Sequence, residues 1–168
     1  MYFSPAPYGA GLYDYMANEE SSELKQAKTV VYRFLSYRFR SEQEVLKKLE
    51  EREFLKSVRS EAVNYFKKHG LIDDVKFAQQ FSESRQRKGF GKRRILIELK
   101  DKGVDKAILQ NLTIFSEEVE KATAKELAGK RSLKYKGLEK EKIKQRTYGY
   151  LIRRGFSPQD AYKAIQSL

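Results

Sequence analysis

Leu96-Ile97-Glu98-Leu99-Lys100-Asp101-Lys102-Gly103-Val104 reads as the last turns of an amphipathic helix, a basic residue, a turn and an apolar plug. Leu96 and Leu99 lie three positions apart and share one helical face. Gly103 falls where a helix ends in a left-handed residue, and Asp105 can cap a short helix after it. The pattern occurs twice more, as Leu46-x-x-Leu49-x-x-Arg52-x-Phe54 and as Tyr148-x-x-Leu151-x-x-Arg154-x-Phe156. The anchors Leu46, Leu96 and Tyr148 are about 50 residues apart, the scale of a three-helix repeat.

Working outward, prolines occur only at Pro5, Pro7 and Pro158, so nothing on proline grounds interrupts helix between Glu23 and Ser157. Val31, Phe34 and Leu35, and again Phe77, Ala78 and Phe81, recur at the helical period. No stretch alternates cleanly enough for a sheet. Ser41 with Glu44 forms a capping box, Asp73 can cap a helix entering at Asp74, and Ser157 with Pro158 and Asp160 is another start. Gly70, Gly89, Gly91, Gly103 and Gly155 sit where helices end or turn. The expected fold is all-α: three tandem three-helix repeats, over 23–70, 71–115 and 116–168, stacked into an elongated, curved array. Residues 1–22 read as a poorly ordered tail carrying Pro5, Pro7, Gly9, Gly11 and several tyrosines. The segment from Met1 to Ala17 has neither the basic start nor the apolar run of a signal peptide.

Composition limits function. The chain of 168 residues carries 35 Lys plus Arg against 23 Asp plus Glu, a net charge of +12, which favours polyanions or acidic protein faces. There is no cysteine and a single histidine, His69 at a helix end, so thiolate and His/Cys metal sites are excluded. Asp73 and Asp74 are adjacent, but capping accounts for the first and a helical first turn for the second. No cofactor is expected. Gly89-Phe90-Gly91-Lys92 lacks the spacing of a phosphate loop and reads as a bend whose backbone could approach a phosphate. No nucleophile motif is visible, and an enzyme is not expected. No apolar run approaches the roughly 20 residues of a membrane span.

Charge is concentrated. Arg85, Arg87, Lys88, Lys92, Arg93, Arg94, Lys100 and Lys102 stand against Glu98 and Asp101. A second cluster runs from Lys130 through Lys134, Lys136 and Arg146 to Arg153 and Arg154. Tyr37, Phe90, Tyr135, Tyr148 and Tyr150 are interleaved with these bases, and such rings either stack on bases of single strands or pack helices.

The central run Leu71-Ile72-Asp73-Asp74-x-x-Phe77-Ala78-x-x-Phe81-x-x-Ser84-Arg85-x-x-Lys88-Gly89-x-Gly91, continuing as Arg94-Ile95-x-x-Glu98-Leu99-x-x-Lys102-Gly103-Val104, resembles the signature of the RecX regulatory family. Phe34-Leu35-Ser36-Tyr37-Arg38 with Ser41-Glu42-x-Glu44-Val45-x-x-Lys48-Leu49 is similar to its first repeat, and Tyr150-Leu151-x-Arg153-Arg154-Gly155-Phe156 to its third. The likeness covers about Ala27 to Leu168. Lys92 departs from it, since the family often has proline there. The resemblance implies a bacterial cytoplasmic regulator of recombination, DNA repair and the SOS response. Such a protein binds along the groove of the RecA–DNA filament, inhibits RecA ATP hydrolysis and strand exchange, and leaves ATP to RecA.

On that reading the interface with RecA or DNA comprises Arg85, Lys88, Lys92, Arg93, Arg94, Lys102, Arg153 and Arg154, with Tyr37, Arg38, Arg87, Phe90, Lys134 and Lys136 as further candidates. Arg85 and Lys102 could instead pair with carboxylates between helices, and Glu98 and Asp73 are structural. Partners are the RecA filament and single- or double-stranded DNA without sequence preference. A monomer is expected because stacked repeats supply their own core. The competing reading is a free-standing DNA-binding helical module, which would bind DNA alike with or without RecA.

Overall fold

A computed structural model describes residues 21–168, so the expected tail lies outside the described residues up to position 20. The described chain is a succession of helices: α1 (Ser22–Ser36), α2 (Glu42–Glu50), α3 (Lys56–Lys68), α4 (Asp74–Arg87), α5 (Lys92–Asp101), α6 (Lys106–Gln110), α7 (Glu117–Ser132), a 3-10 turn (Leu133–Tyr135), α8 (Lys140–Arg154) and α9 (Pro158–Gln166). No strand occurs among the described residues. The fold is all-α and consists of three tandem three-helix repeats, α1–α3, α4–α6 and α7–α9.

The sequence specifies the ends of these helices. Ser41 and Glu44 form a reciprocal capping box on α2. The Asp73 carboxylate accepts from the backbone N–H groups of Val75 and Lys76 at 2.9 and 3.0 Å, and Asp105 accepts from Ala107 at 2.7 Å. Ser157 caps α9, whose first turn begins with Pro158. Each such cap stabilises by about 1 kcal/mol because it satisfies a backbone N–H that the helix itself leaves orphaned.

The chain divides into two compact units, the first comprising residues up to Phe77 with Lys102–Val104, the second Ala78–Asp101 with Asp105–Leu168. In the first, α1, α2 and α3 enclose Leu24, Ala27, Val31, Val45, Leu49, Val58, Ala62, Val63, Phe66 and Ile72. In the second, α7, α8 and α9 enclose Ala124, Ala128, Leu151, Phe156, Ala161, Ala164 and Ile165. Alanines on α7 and α9 let these helices approach closely.

The repeat pattern needs a shift of one residue to describe the burial. Leu49, Leu99 and Leu151 are fully buried, but their buried partners four positions earlier are Val45, Ile95 and Thr147. The anchors Leu46, Leu96 and Tyr148 are half-buried. The helix spacing of four, not three, thus carries the innermost contact. Among the described residues, no helix is long and apolar enough to cross a membrane.

Candidate functional site

The basic residues are positioned by a joint built twice with different side chains. In the first unit, the loop before α2 meets the turn after α5. Ser41 Oγ donates to the Lys102 carbonyl at 2.6 Å, and the Asp74 carboxylate accepts from the Glu42 N–H at 2.8 Å. Gly103, with φ +78°, leaves room for the Gln43 side chain against it. In the second unit, fifty positions on from each loop residue, the Gly91 N–H donates to the Arg154 carbonyl at 2.9 Å and the Arg93 N–H to Gly155 O at 3.1 Å. The Glu120 carboxylate accepts from the Lys92 N–H at 2.7 Å, and Gly155, with φ +91°, faces Arg94.

Asp74 and Glu120 therefore cap helices other than their own. Burial pushes both carboxyls above their usual range, and the N–H bonds they accept offset this only in part. Asp74 was expected only to suit its own first turn; its bond to Glu42 is a longer-range role that sequence spacing does not reveal. The backbone of the Gly89–Lys92 bend, which in sequence reads as able to approach a phosphate, is committed to this joint through Gly91, whose N–H is bonded and which is buried.

The charges at the two joints differ. In the first, Glu44 takes a bidentate contact from Arg38 at 2.8 and 3.2 Å and a bond from Lys102 Nζ at 2.8 Å. Burial raises the Glu44 carboxyl, but these hydrogen bonds outweigh it and hold the group at about 2. In the second, the residue fifty positions on is Arg94, which shares Glu98 with Arg85: Arg94 Nε lies 3.0 Å and Arg85 Nε 2.5 Å from its oxygens. Burial again raises Glu98, and the two arginines lower it overall. Glu98 is thus a structural counter-ion, as expected, and so is Asp73 as a cap.

Phe90 is the hub of the second joint. The guanidinium carbons of Arg85, Arg154 and Arg94 stand 4.6, 4.7 and 5.2 Å from its ring centre. Arg154 donates to the Lys88 carbonyl at 2.8 Å, and Arg94 to the Arg153 carbonyl at 3.2 Å. Arg154 also stacks on Tyr150, Arg131 on Tyr150 and Tyr135, and Arg146 on Tyr135. The arginines and rings alternate along the second unit, a pattern only hinted at by the interleaving of aromatic and basic residues in the sequence.

The second unit accordingly brings together Arg85, Lys88, Lys92, Arg93, Arg94, Arg153 and Arg154. Lys102 belongs to the first unit and is engaged by Glu44. Lys88, Lys92, Arg93 and Arg153 are exposed, whereas Arg85 and Arg154 are half-buried. Tyr37 is 82% exposed beside Arg38 in the first unit. Arg87 pairs along its own helix with Glu83, and Lys134 and Lys136 lie exposed at the 3-10 turn. Sequence reasoning missed Ile97 and Ile152, which line a cleft of about 440 Å³ with Arg93, Arg94 and Arg153. One signal was available: Ile95, Leu96 and Ile97 are consecutive, and a helix buries such a run on one side only. Among the described residues no cluster of His, Cys, Asp or Glu could hold a metal ion.

Comparison with known proteins bears on all three repeats. Family models described as the first, second and third three-helix domains of RecX match residues 27–66, 73–111 and 118–165. The regulatory protein RecX of Streptomyces coelicolor is 30% identical over 145 residues, covering 85% of this chain and 77% of the relative. That of Mycolicibacterium smegmatis is 31% identical over 156 residues, covering 89% and 82%. The crystal structure of RecX from Lactobacillus salivarius superposes with a TM-score of 0.77 at 23% identity, over 87% of this chain and 96% of that one. With its three repeats each matched in order, the chain belongs to the RecX family of regulatory proteins.

Proposed function

We propose that this protein binds the RecA–DNA filament and inhibits RecA's ATPase and strand-exchange activities, thereby modulating recombination and DNA repair. The observation that carries the reading is the accumulation of arginine and lysine around Phe90, where Glu98 is shared by two arginines and other cations stay exposed. Within the proposed interface of Arg85, Lys88, Lys92, Arg93, Arg94, Lys102, Arg153 and Arg154, the roles divide. Arg85, Arg94, Lys102 and Arg154 hold the joints, while Lys88, Lys92, Arg93 and Arg153 present their charges outward. Repeats over 23–70, 71–115 and 116–168 would each add weak contacts to successive filament subunits, and linked weak contacts act at high effective concentration. The protein works without catalysis of its own, as a monomer in the cytoplasm.

The test is RecA's DNA-dependent ATP hydrolysis at fixed salt, with this protein titrated in, beside binding to bare single-stranded DNA. Inhibition at less than one copy per RecA with weak binding to bare DNA is expected. Reversing Arg93→Glu with Arg153→Glu should weaken inhibition about tenfold or more while helicity stays unchanged. Unaltered inhibition by that pair would remove these residues from the interface.

A DNA-binding module acting without RecA is the second reading. It is favoured by Lys134, Lys136, Lys142 and Lys144, which have no ion-pair partner among the described residues. It expects equal DNA affinity with and without RecA, falling steeply with salt.

A further inference from the structure

The cleft beside the second joint differs from the basic surface around it. Ile97 on α5 is 61% exposed and Ile152 on α8 is 36% exposed, and the buried Phe156 also lines the cleft. Arg93, Arg94 and Arg153 stand on the rim, with Glu98 and Asp101 on the lining. Its volume of about 440 Å³ falls within the range of sites that seat a ligand or a few side chains.

We propose that this cleft seats an acidic, apolar peptide segment of the protein partner, with aliphatic or aromatic side chains on Ile97 and Ile152 and carboxylates on Arg93 and Arg153. This rests on the reading that the partner is the RecA filament, and it assigns the cleft to protein, not nucleic acid. Three features separate the two. The exposed apolar side chains, Ile97 and Ile152, are aliphatic and offer no planar face on which a base could stack, and the Phe156 ring that lines the cleft with them is only 1% exposed. The cleft gains from burying apolar side chains, at roughly 25 cal/mol per Å² removed from water. Asp101, exposed and without an ion-pair partner among the described residues, can accept a peptide N–H, a donor that a sugar–phosphate backbone lacks. Arginine is also enriched at the energetic centres of protein interfaces. Complementary charge selects the occupant: Arg93 and Arg153 have no carboxylate partner among the described residues, while Arg94 is satisfied by Glu98.

The test uses the full chain and the double variant Ile97→Ser with Ile152→Ser. Both side chains are surface groups outside the buried cores, so the variant should keep wild-type helicity and melting temperature. Two readouts are taken: RecA ATPase inhibition, and binding of a short fluorescent peptide in which leucine and phenylalanine alternate with aspartate. The expected result is a loss of about tenfold or more in both, with affinity for bare single-stranded DNA unchanged. Inhibition by the variant at wild-type concentrations would overturn the proposal, as would a peptide that fails to bind the wild-type chain. An equal loss of bare DNA binding would make the occupant nucleic acid and overturn it too. If the wild-type chain binds the peptide through the cleft yet leaves RecA untouched, the RecA reading fails and the chemistry of the cleft stands.

Discussion

At the first joint Ser41, Glu42, Gln43 and Glu44 meet Asp74, Lys102 and Gly103; at the second Gly91, Lys92, Arg93 and Arg94 meet Glu120, Arg154 and Gly155. The parts that close each joint are kept: a carbonyl that accepts, a carboxylate that caps, and a left-handed glycine that admits a neighbour. The side chains reverse sign. Glu44 is shared by Arg38 and Lys102, whereas Arg94, in the same place, shares Glu98 with Arg85 and stands among Arg93, Arg153 and Arg154. One scaffold therefore yields a closed ion-pair network in the first unit and a surplus of cations in the second.

The comparison breaks most easily at the glycine pair of the second joint. A Cβ on Gly91 would lie 2.5 Å from Gly155 O and 2.6 Å from the Phe156 N, and backbone cannot swing aside as a side chain can. Gly91→Ala should lower stability by about 2–3 kcal/mol, the cost of overpacking a rigid contact, read from the midpoint of urea unfolding. At Gly103 a Cβ would lie 2.4 Å from the Gln43 Cβ, an atom fixed to its own backbone, so the cost of Gly103→Ala adds this contact to the strain of its positive φ of +78°. A loss under about 0.5 kcal/mol for Gly91→Ala, as at ordinary surface sites, would mean that the two loops do not touch in solution.

The network at the first joint is the next point of attack. Glu44→Gln keeps a side chain able to complete the capping box but removes the charge that binds Arg38 and Lys102. A loss of about 1–2 kcal/mol at neutral pH is expected, moderated because Arg38 is partly in water. The folded protein holds the Glu44 proton less tightly than the unfolded chain does. Its stabilisation is therefore complete above the ordinary glutamate range and is lost as pH falls from about 4.5 towards about 2. Unfolding free energy measured across that window should drop less steeply in the variant than in the wild type. Parallel curves would show that Glu44 is not the group responsible.

Much of this was legible in the sequence because it is local. The capping box at Ser41, the caps at Asp73, Asp105 and Ser157, and the left-handed glycines at Gly103 and Gly155 each follow from residue type within four positions. The pairing of Arg85 and Lys102 with carboxylates was foreseeable as chemistry, but its partners Glu98 and Glu44 are 13 and 58 positions away. The same holds for Asp74 on Glu42 and Glu120 on Lys92, 32 and 28 positions apart. Charge counting could find the basic residues but not sort those spent on the scaffold from those left over. It also could not see Ile97 and Ile152, which belong to different helices and meet only through the fold.

The smallest expected effect concerns the first repeat, which has no glycine where the others do. Glu53 stands at the position of Gly103 and Gly155 and adopts the same left-handed backbone, with φ +61°. The turn is closed by the same bond, from the Phe54 N–H to the Leu49 carbonyl, as Phe156 makes to Leu151. Gly103 and Gly155 are faced closely by Gln43 and Arg94, so a Cβ there is excluded by contact as well as by φ. Glu53 is exposed, which leaves only the conformational cost of about 1–2 kcal/mol for a side chain in that region. Glu53→Gly relieves it but gives the unfolded chain more freedom, at a cost of about 0.5–1 kcal/mol. A net gain near 0.5 kcal/mol should appear as a small rise in melting temperature. A loss instead would show that the first repeat does not turn as the other two do, and the equivalence of the three turns would fail at its first member.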